Sequence, residues 1–103
     1  MSSIKIRLKR FENATLVRML ISHPMETGRR TDKQSGNLVP AHHIRQLRIV
    51  HKERTVALCN LGSGIAADPY FAFRFREGKP GDVVTISWID NHGVSDSATA
   101  IIP

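Results

Sequence analysis

The chain has 103 residues, of which 41% are hydrophobic, and its formal net charge is +6 at pH 7. This length allows one domain with its own core, and the hydrophobic fraction excludes a wholly disordered chain. Residues 1–14 contain no long apolar stretch, which excludes a secretory signal or a membrane span there. We therefore expect a single domain over residues 1–103 that does not insert into a membrane.

Residues 4–22 contain the first two predicted strands. In residues 4–8, isoleucine and leucine alternate with lysine and arginine, which predicts a half-buried strand with a basic outer side. Residues 15–22 are apolar on both faces apart from Arg18. Such a strand is predicted to be central in its sheet, or to contact something besides its own core. Pro24 then ends the strand, because proline cannot donate to the sheet's hydrogen bonds.

Residues 23–43 form the one long segment without a regular apolar period. The segment contains three of the five histidines and two of the five prolines. A loop of this length in a small domain is usually either functional or disordered. The motifs at its two ends, His-Pro-Met and Pro-Ala-His-His, argue against simple disorder. We expect a solvated excursion between two anchored ends.

The rest of the chain shows the same alternation between turn residues, with strands predicted at 44–51, 54–60, 70–75, 83–89 and 95–101. The first two of these join at Lys52-Glu53, which lacks the glycine that such short turns prefer. Seven short strands without a convincing helix predict an all-β, immunoglobulin-like β-sandwich. In it the phenylalanines of residues 70–75 would be buried opposite Trp88 and Ile86. A small barrel is the alternative.

The five histidines and Cys59 raise the question of a metal site. Their spacing matches no recognised ligand pattern, and the adjacent His42 and His43 point in opposite directions in an extended segment. His23 and Met25 suit copper, but they supply only two ligands. Cys59 has no neighbouring base and is more typical of a small core residue than of a nucleophile. We expect no metal, and keep a small metal-dependent redox protein using the histidines and Cys59 as the alternative function.

The remaining residues show no catalytic set. The acidic residues lie mostly at turns, where they cap or bend the chain. The basic residues are spread over several strands and loops, without an aromatic RNA-binding signature or a helix long enough to enter a groove. Nucleic acid is therefore not an expected partner, and a binding module is favoured over an enzyme.

A series of motifs along the chain resembles the SoxZ family. They are His-Pro-Met-Glu-Thr-Gly at 23–28, Asp32, Pro-Ala-His at 40–42, residues 60–70, Gly81-Asp82, Trp-Ile-Asp-Asn at 88–91, and residues 93–98. These motifs cover essentially the whole chain in matching order and length. The stretch ISHPMETG at residues 21–28 is the most specific of them.

This resemblance implies a non-catalytic subunit, without a cofactor, that pairs with SoxY in the SoxYZ sulfur carrier. In that family a cysteine near the flexible C-terminus of SoxY holds the sulfur intermediates of thiosulfate oxidation, and other Sox enzymes act on them. The resemblance also implies that the protein acts in the periplasm, after export together with SoxY, which carries the signal peptide. Cys59 is not the carrier cysteine, because no glycine-rich C-terminal context surrounds it.

Two surfaces are candidate contacts with other proteins. The interface with SoxY is predicted at or beside five residues near the end of the second strand: Met19, Ile21, His23, Pro24 and Met25. The simpler interpretation of these residues is ordinary core plus a loop anchor. Arg29, Arg30 and Lys33 form a basic loop tip, which we hypothesise to dock an acidic surface of another Sox protein or to attract the anionic sulfur intermediate. The simpler interpretation here is a solvated tip.

Overall fold

A computed structural model describes residues 2–103, which form seven β-strands in two antiparallel sheets. The strands are β1 (Ile4–Phe11), β2 (Ala14–Ile21), β3 (Ile44–His51), β4 (Arg54–Asn60), β5 (Tyr70–Arg76), β6 (Val83–Asp90) and β7 (Ser95–Ile101). One sheet has the order β1-β2-β5 and the other β4-β3-β6-β7. The predicted all-β sandwich is confirmed, in place of the barrel. Residues 2–103 contain no helix that could cross a membrane.

Strand β2 occupies the centre of the three-stranded sheet, as its apolar character predicted. Met19 lies opposite Ile6 on β1 and opposite Phe71 on β5. The alternation along β2 buries one set of side chains and leaves the other set on the outer surface. The inward set is Thr15, Val17, Met19 and Ile21, and the outward set is Leu16, Arg18 and Leu20.

The core lies between the two sheets. Leu47 and Ile49 of β3, together with Ile86 and Trp88 of β6, pack in the same cluster as the inward side of β2. The three phenylalanines of β5 lie half-buried against this cluster, on the predicted inner face. Burial of these side chains is the main favourable contribution to folding.

Two of the connecting turns adopt conformations that few residues tolerate. Lys52 and Glu53 both have positive φ, 51° and 64°, as a two-residue hairpin turn requires, although neither is glycine. Gly78, after β5, has a φ of +98°, and a Cβ at this position would overlap the side chain of Thr15. Gly78 is therefore held both by its backbone conformation and by its close approach to β2.

Candidate functional site

The long segment between β2 and β3 is held at both ends. Glu26 and His42 exchange both of their backbone hydrogen bonds, at 2.6 and 2.9 Å. Met25 is buried, and its Sδ accepts the backbone N–H of Ile44 at 3.4 Å. The segment is therefore a hairpin-like excursion, and its base is fixed to the sandwich.

The buried carboxylate of Asp90 joins this base to the end of β6. Its Oδ2 accepts hydrogen bonds from His23 Nε2 at 3.1 Å and from His42 Nε2 at 2.8 Å. Its Oδ1 accepts the backbone N–H groups of His92 and Val94, each at 2.9 Å. The ring of His92 stacks on that of His42 with centroids 4.0 Å apart. We call His23, His42, Asp90 and His92 the Asp90 cluster.

The strand pairing explains why these residues meet. Strand β3 lies beside β6 with Ile44 opposite Asp90, so the residues just before β3 run past the end of β6. His23 is the second residue after β2, and its backbone N–H donates to the carboxylate of Asp68 at 3.0 Å. By sequence, Asp90 is a turn residue and part of the Trp-Ile-Asp-Asn motif, and neither pattern predicts its contacts with the two histidines. Through their hydrogen bonds to Asp90, His23 and His42 anchor the two ends of the loop to the end of β6.

The hydrogen bonds of Asp90 change its acidity. Burial by itself would raise the pKa of this carboxyl, but the hydrogen bonds from His23, His42, Val94 and His92 outweigh it and lower the pKa to about 2. Asp90 is therefore an anion at neutral pH and acts as an acceptor in every one of these bonds.

The Asp90 cluster has the composition of a metal site, since the ligand atoms of His23, His42 and Asp90 lie within 4.8 Å of one another. The hydrogen bonds of His23 argue against one. Its Nδ1 lies 3.1 Å from the backbone N of Met25, and a peptide N–H can only donate. Nδ1 therefore carries no proton, and the proton of the neutral ring lies on Nε2, where it is donated to Asp90. A metal on Nε2 would leave a fully deprotonated imidazolate or, with the proton moved to Nδ1, would break the hydrogen bond from Met25, whereas metal-bound histidines usually donate from their other nitrogen to an acceptor.

We expect no stoichiometric cation site in this cluster. Titration with Co²⁺ at neutral pH should give no visible absorption band that saturates at one equivalent. The same titration of a His42→Ala variant is the control, because weak surface binding would be equal in both. If a saturating band appeared and the His42→Ala variant lacked it, a metal-dependent redox function would be favoured instead.

Cys59 lies apart from the Asp90 cluster. It is on the inner face of β4, opposite Leu47, and is partly buried against the core. The group of metal-ligating side chains found within residues 2–103 does not include it. Its position matches that of a small core residue.

The predicted SoxY interface residues lie mainly inside the sandwich. Met19, Ile21, His23 and Met25 are all buried, and only Pro24 is exposed. In this structure four of the five belong to the core or the Asp90 cluster. The interface role stays a prediction, and Pro24 is the residue of the set that a partner could reach directly.

The predicted basic loop tip is partly neutralised. Arg30 donates to both carboxylate oxygens of Glu26, with Nη2 to Oε1 at 2.8 Å. This hydrogen bond lowers the pKa of Glu26 and raises that of Arg30. Arg29 and Lys33 are exposed, with Asp32 between them in the chain. The tip therefore presents less positive charge than its three cations suggest.

The outer faces of the two sheets differ strongly in charge. The three-stranded sheet exposes six cations, which we call the basic face: Lys5, Arg7, Lys9, Arg18, Arg74 and Arg76. The four-stranded sheet presents mainly aliphatic side chains, serine and threonine, with Arg48 in the middle of β3 and Arg45 and Arg54 near strand ends, and we call this the neutral face. Along the chain the cations are spread over several strands, and the strand register gathers these six on one side of the sheet.

The chain was also compared with known proteins. The family model for Sulphur oxidation protein SoxZ matches residues 4–101, a span that includes all seven strands and the whole Asp90 cluster. A search of curated proteins gives no match. Because the family match covers nearly the entire chain, the protein belongs to the SoxZ family of sulphur oxidation proteins.

Proposed function

We propose that this protein is the non-catalytic subunit of the SoxYZ sulfur carrier. It pairs with SoxY, whose C-terminal cysteine carries covalent sulfur intermediates during thiosulfate oxidation, and it helps to present that cysteine to the Sox enzymes. The family match over residues 4–101 supports this role. The Asp90 cluster supports it as well, because its histidines are occupied in hydrogen bonds that hold the fold.

The observation that most supports a permanent partner is the neutral face. Leu58, Val83 and Ile101 stand on it about half exposed or more, at 49, 48 and 65%. Arg48 lies opposite Leu58, and the neighbouring outward positions include Val50 and the pair Thr85 and Thr99, which lie opposite each other. A stable protein–protein interface buries about 800 Å² per partner and has few charges at its centre. A sheet face with one cation at its middle and two near strand ends suits such a contact, and we assign it to SoxY.

The proposal includes the place of action. The SoxYZ pair works in the periplasm, where this chain arrives together with the signal-bearing SoxY. The family resemblance supports this part of the proposal, as it does the partner itself.

Mixing this protein with SoxY should produce a one-to-one complex, which light scattering would measure by mass. Leu58→Lys should weaken the complex about tenfold or more, because it replaces an apolar contact with a second cation opposite Arg48. The matched control is Leu38→Lys, since Leu38 is a 64% exposed leucine on the 23–43 loop.

The outcomes of this experiment distinguish between the possible positions of the interface and test the proposed function. Loss of affinity in Leu58→Lys alone supports the neutral face. Loss in Leu38→Lys alone moves the interface to the loop, near the position that the sequence predicted. A chain that stays monomeric with SoxY under all conditions would contradict the proposed function itself.

A further inference from the structure

The strands that form the basic face carry charges of one sign only. Strands β1, β2 and β5 contain no aspartate or glutamate at all. Arg7 and Arg18 lie directly opposite each other on neighbouring strands, and Leu16 lies between Lys9 and Arg74. None of the six cations forms a salt bridge with another part of residues 2–103.

This arrangement lowers the stability of the isolated chain. Like charges directly opposite each other in an antiparallel pair are destabilising. Two of the cations are nevertheless held in place, because Lys9 and Arg74 lie over the ring of Phe11, at 5.3 and 4.7 Å from its centroid. A surface that keeps ordered, unpaired cations at a cost in stability is typical of a binding site rather than of a surface selected only for solubility.

The basic face also contains a shallow depression. It has a volume of about 290 Å³, and Arg7, Arg18, Leu20 and Tyr70 are among the residues that line it. This volume lies at the lower limit of the roughly 300–1,000 Å³ of small-molecule sites. It suits one acidic side chain of a partner, which the two arginines would bind.

We propose that the basic face binds an acidic surface of another protein. Arginine and tyrosine are the residues enriched at the centres of protein interfaces, and Leu20 and Tyr70 add exposed apolar area beside Arg7 and Arg18. A nucleic acid fits this surface less well, because a flat sheet with isolated aromatic rings offers neither a groove-reading element nor a stacking platform. The proposal does not depend on SoxY, since the basic and neutral faces are on opposite sides of the sandwich.

The test uses two charge-reversed double variants of the full chain. Arg7→Glu/Arg18→Glu changes the centre of the basic face, and Arg45→Glu/Arg54→Glu makes the same change in net charge at exposed residues of β3 and β4. The probes are a peptide in which glutamate alternates with leucine, a glutamate–serine peptide of equal charge, and single-stranded DNA of equal charge. Affinity is measured by fluorescence anisotropy at low and at near-physiological salt.

We expect the glutamate–leucine peptide to bind more tightly than the glutamate–serine peptide. Its affinity should fall about tenfold or more in Arg7→Glu/Arg18→Glu and less than about twofold in the control pair. Thermal unfolding of Arg18→Gln should occur at a higher temperature than that of the unmodified protein, because the repulsion from Arg7 is removed. Equal losses of affinity in both double variants would show that binding follows net charge alone and would overturn the proposal. Tighter binding of the DNA than of either peptide would overturn the protein partner.

Discussion

Replacing Asp90 with alanine is expected to lower the free energy of unfolding by about 3–5 kcal/mol, the largest effect of any single side chain outside the apolar core. The change removes one acceptor group that receives four hydrogen bonds, two of them from histidine rings. The ring of His23 is buried and has no access to water as a substitute. Chemical denaturation, followed by tryptophan fluorescence of the neighbouring Trp88, measures the loss.

The matched control for this prediction is Asp32→Ala. Asp32 caps a turn in the 23–43 loop through one hydrogen bond to the backbone N–H of Gln34, at 2.9 Å. Its loss should cost about 1 kcal/mol or less, because the freed N–H can bind water. Hydrogen exchange at the backbone N–H of His42 should accelerate in Asp90→Ala and not in Asp32→Ala. Equal effects of the two substitutions would contradict the role assigned to the cluster.

The same carboxylate predicts a pH dependence with a definite sign. Because the folded-state pKa of Asp90 is lowered to about 2, its ionised form is favoured by folding. The corresponding contribution, about 2 kcal/mol, is complete above the ordinary pKa of about 4 and is lost as the pH falls through about 2. The difference in stability between the unmodified protein and Asp90→Ala should therefore shrink over that range.

Gly78→Ala is expected to cost about 2–5 kcal/mol, the sum of about 1–2 kcal/mol for the positive φ and about 1–3 kcal/mol for overpacking. The added methyl group would overlap Thr15 Oγ1 and lie 3.0 Å from Ile102 Cδ1. Thr15 would then lose its hydrogen bond to the carbonyl oxygen of Glu77, now 3.0 Å long. The midpoint of urea unfolding reports the change.

Gly36→Ala separates the two causes. Gly36 has a φ of +73°, but a Cβ there meets nothing within 4 Å. It should therefore show the backbone cost of about 1–2 kcal/mol without the steric one. A Gly78→Ala variant no less stable than Gly36→Ala would mean that β2 and the β5–β6 turn separate easily.

Much of the fold could be predicted because it depends on local pattern. The bounds of β3, β4 and β7 agree with the sequence, because the apolar alternation of each run is clear enough to mark its ends. Strand β1 extends three residues further than predicted, to Phe11, because its pairing with β2 continues to Ala14. Pairing between strands is a tertiary effect, so it cannot be predicted from the apolar period of one segment alone.

The candidate site was harder to predict, because its residues are far apart in the chain. His23 and His42 lie 67 and 48 residues from Asp90, so no spacing rule connects them. The opposite directions of His42 and His43 were predictable from an extended backbone, and only His42 contacts Asp90. The apolar side chains of Met19 and Ile21 fitted a core or an interface equally well by sequence, and the structure places them in the core.

The Asp90 cluster gives this protein a substitute for a covalent cross-link. It closes the 23–43 loop and ties its base to β6, which is the task a disulfide performs in many small β domains. The chain has one cysteine and so cannot form an internal disulfide. A closure built from hydrogen bonds needs no oxidant and resists thiol reagents, so the loop keeps the same geometry in reducing and in oxidising surroundings. Its sensitivity is to acid instead, through the protonation of a single carboxylate.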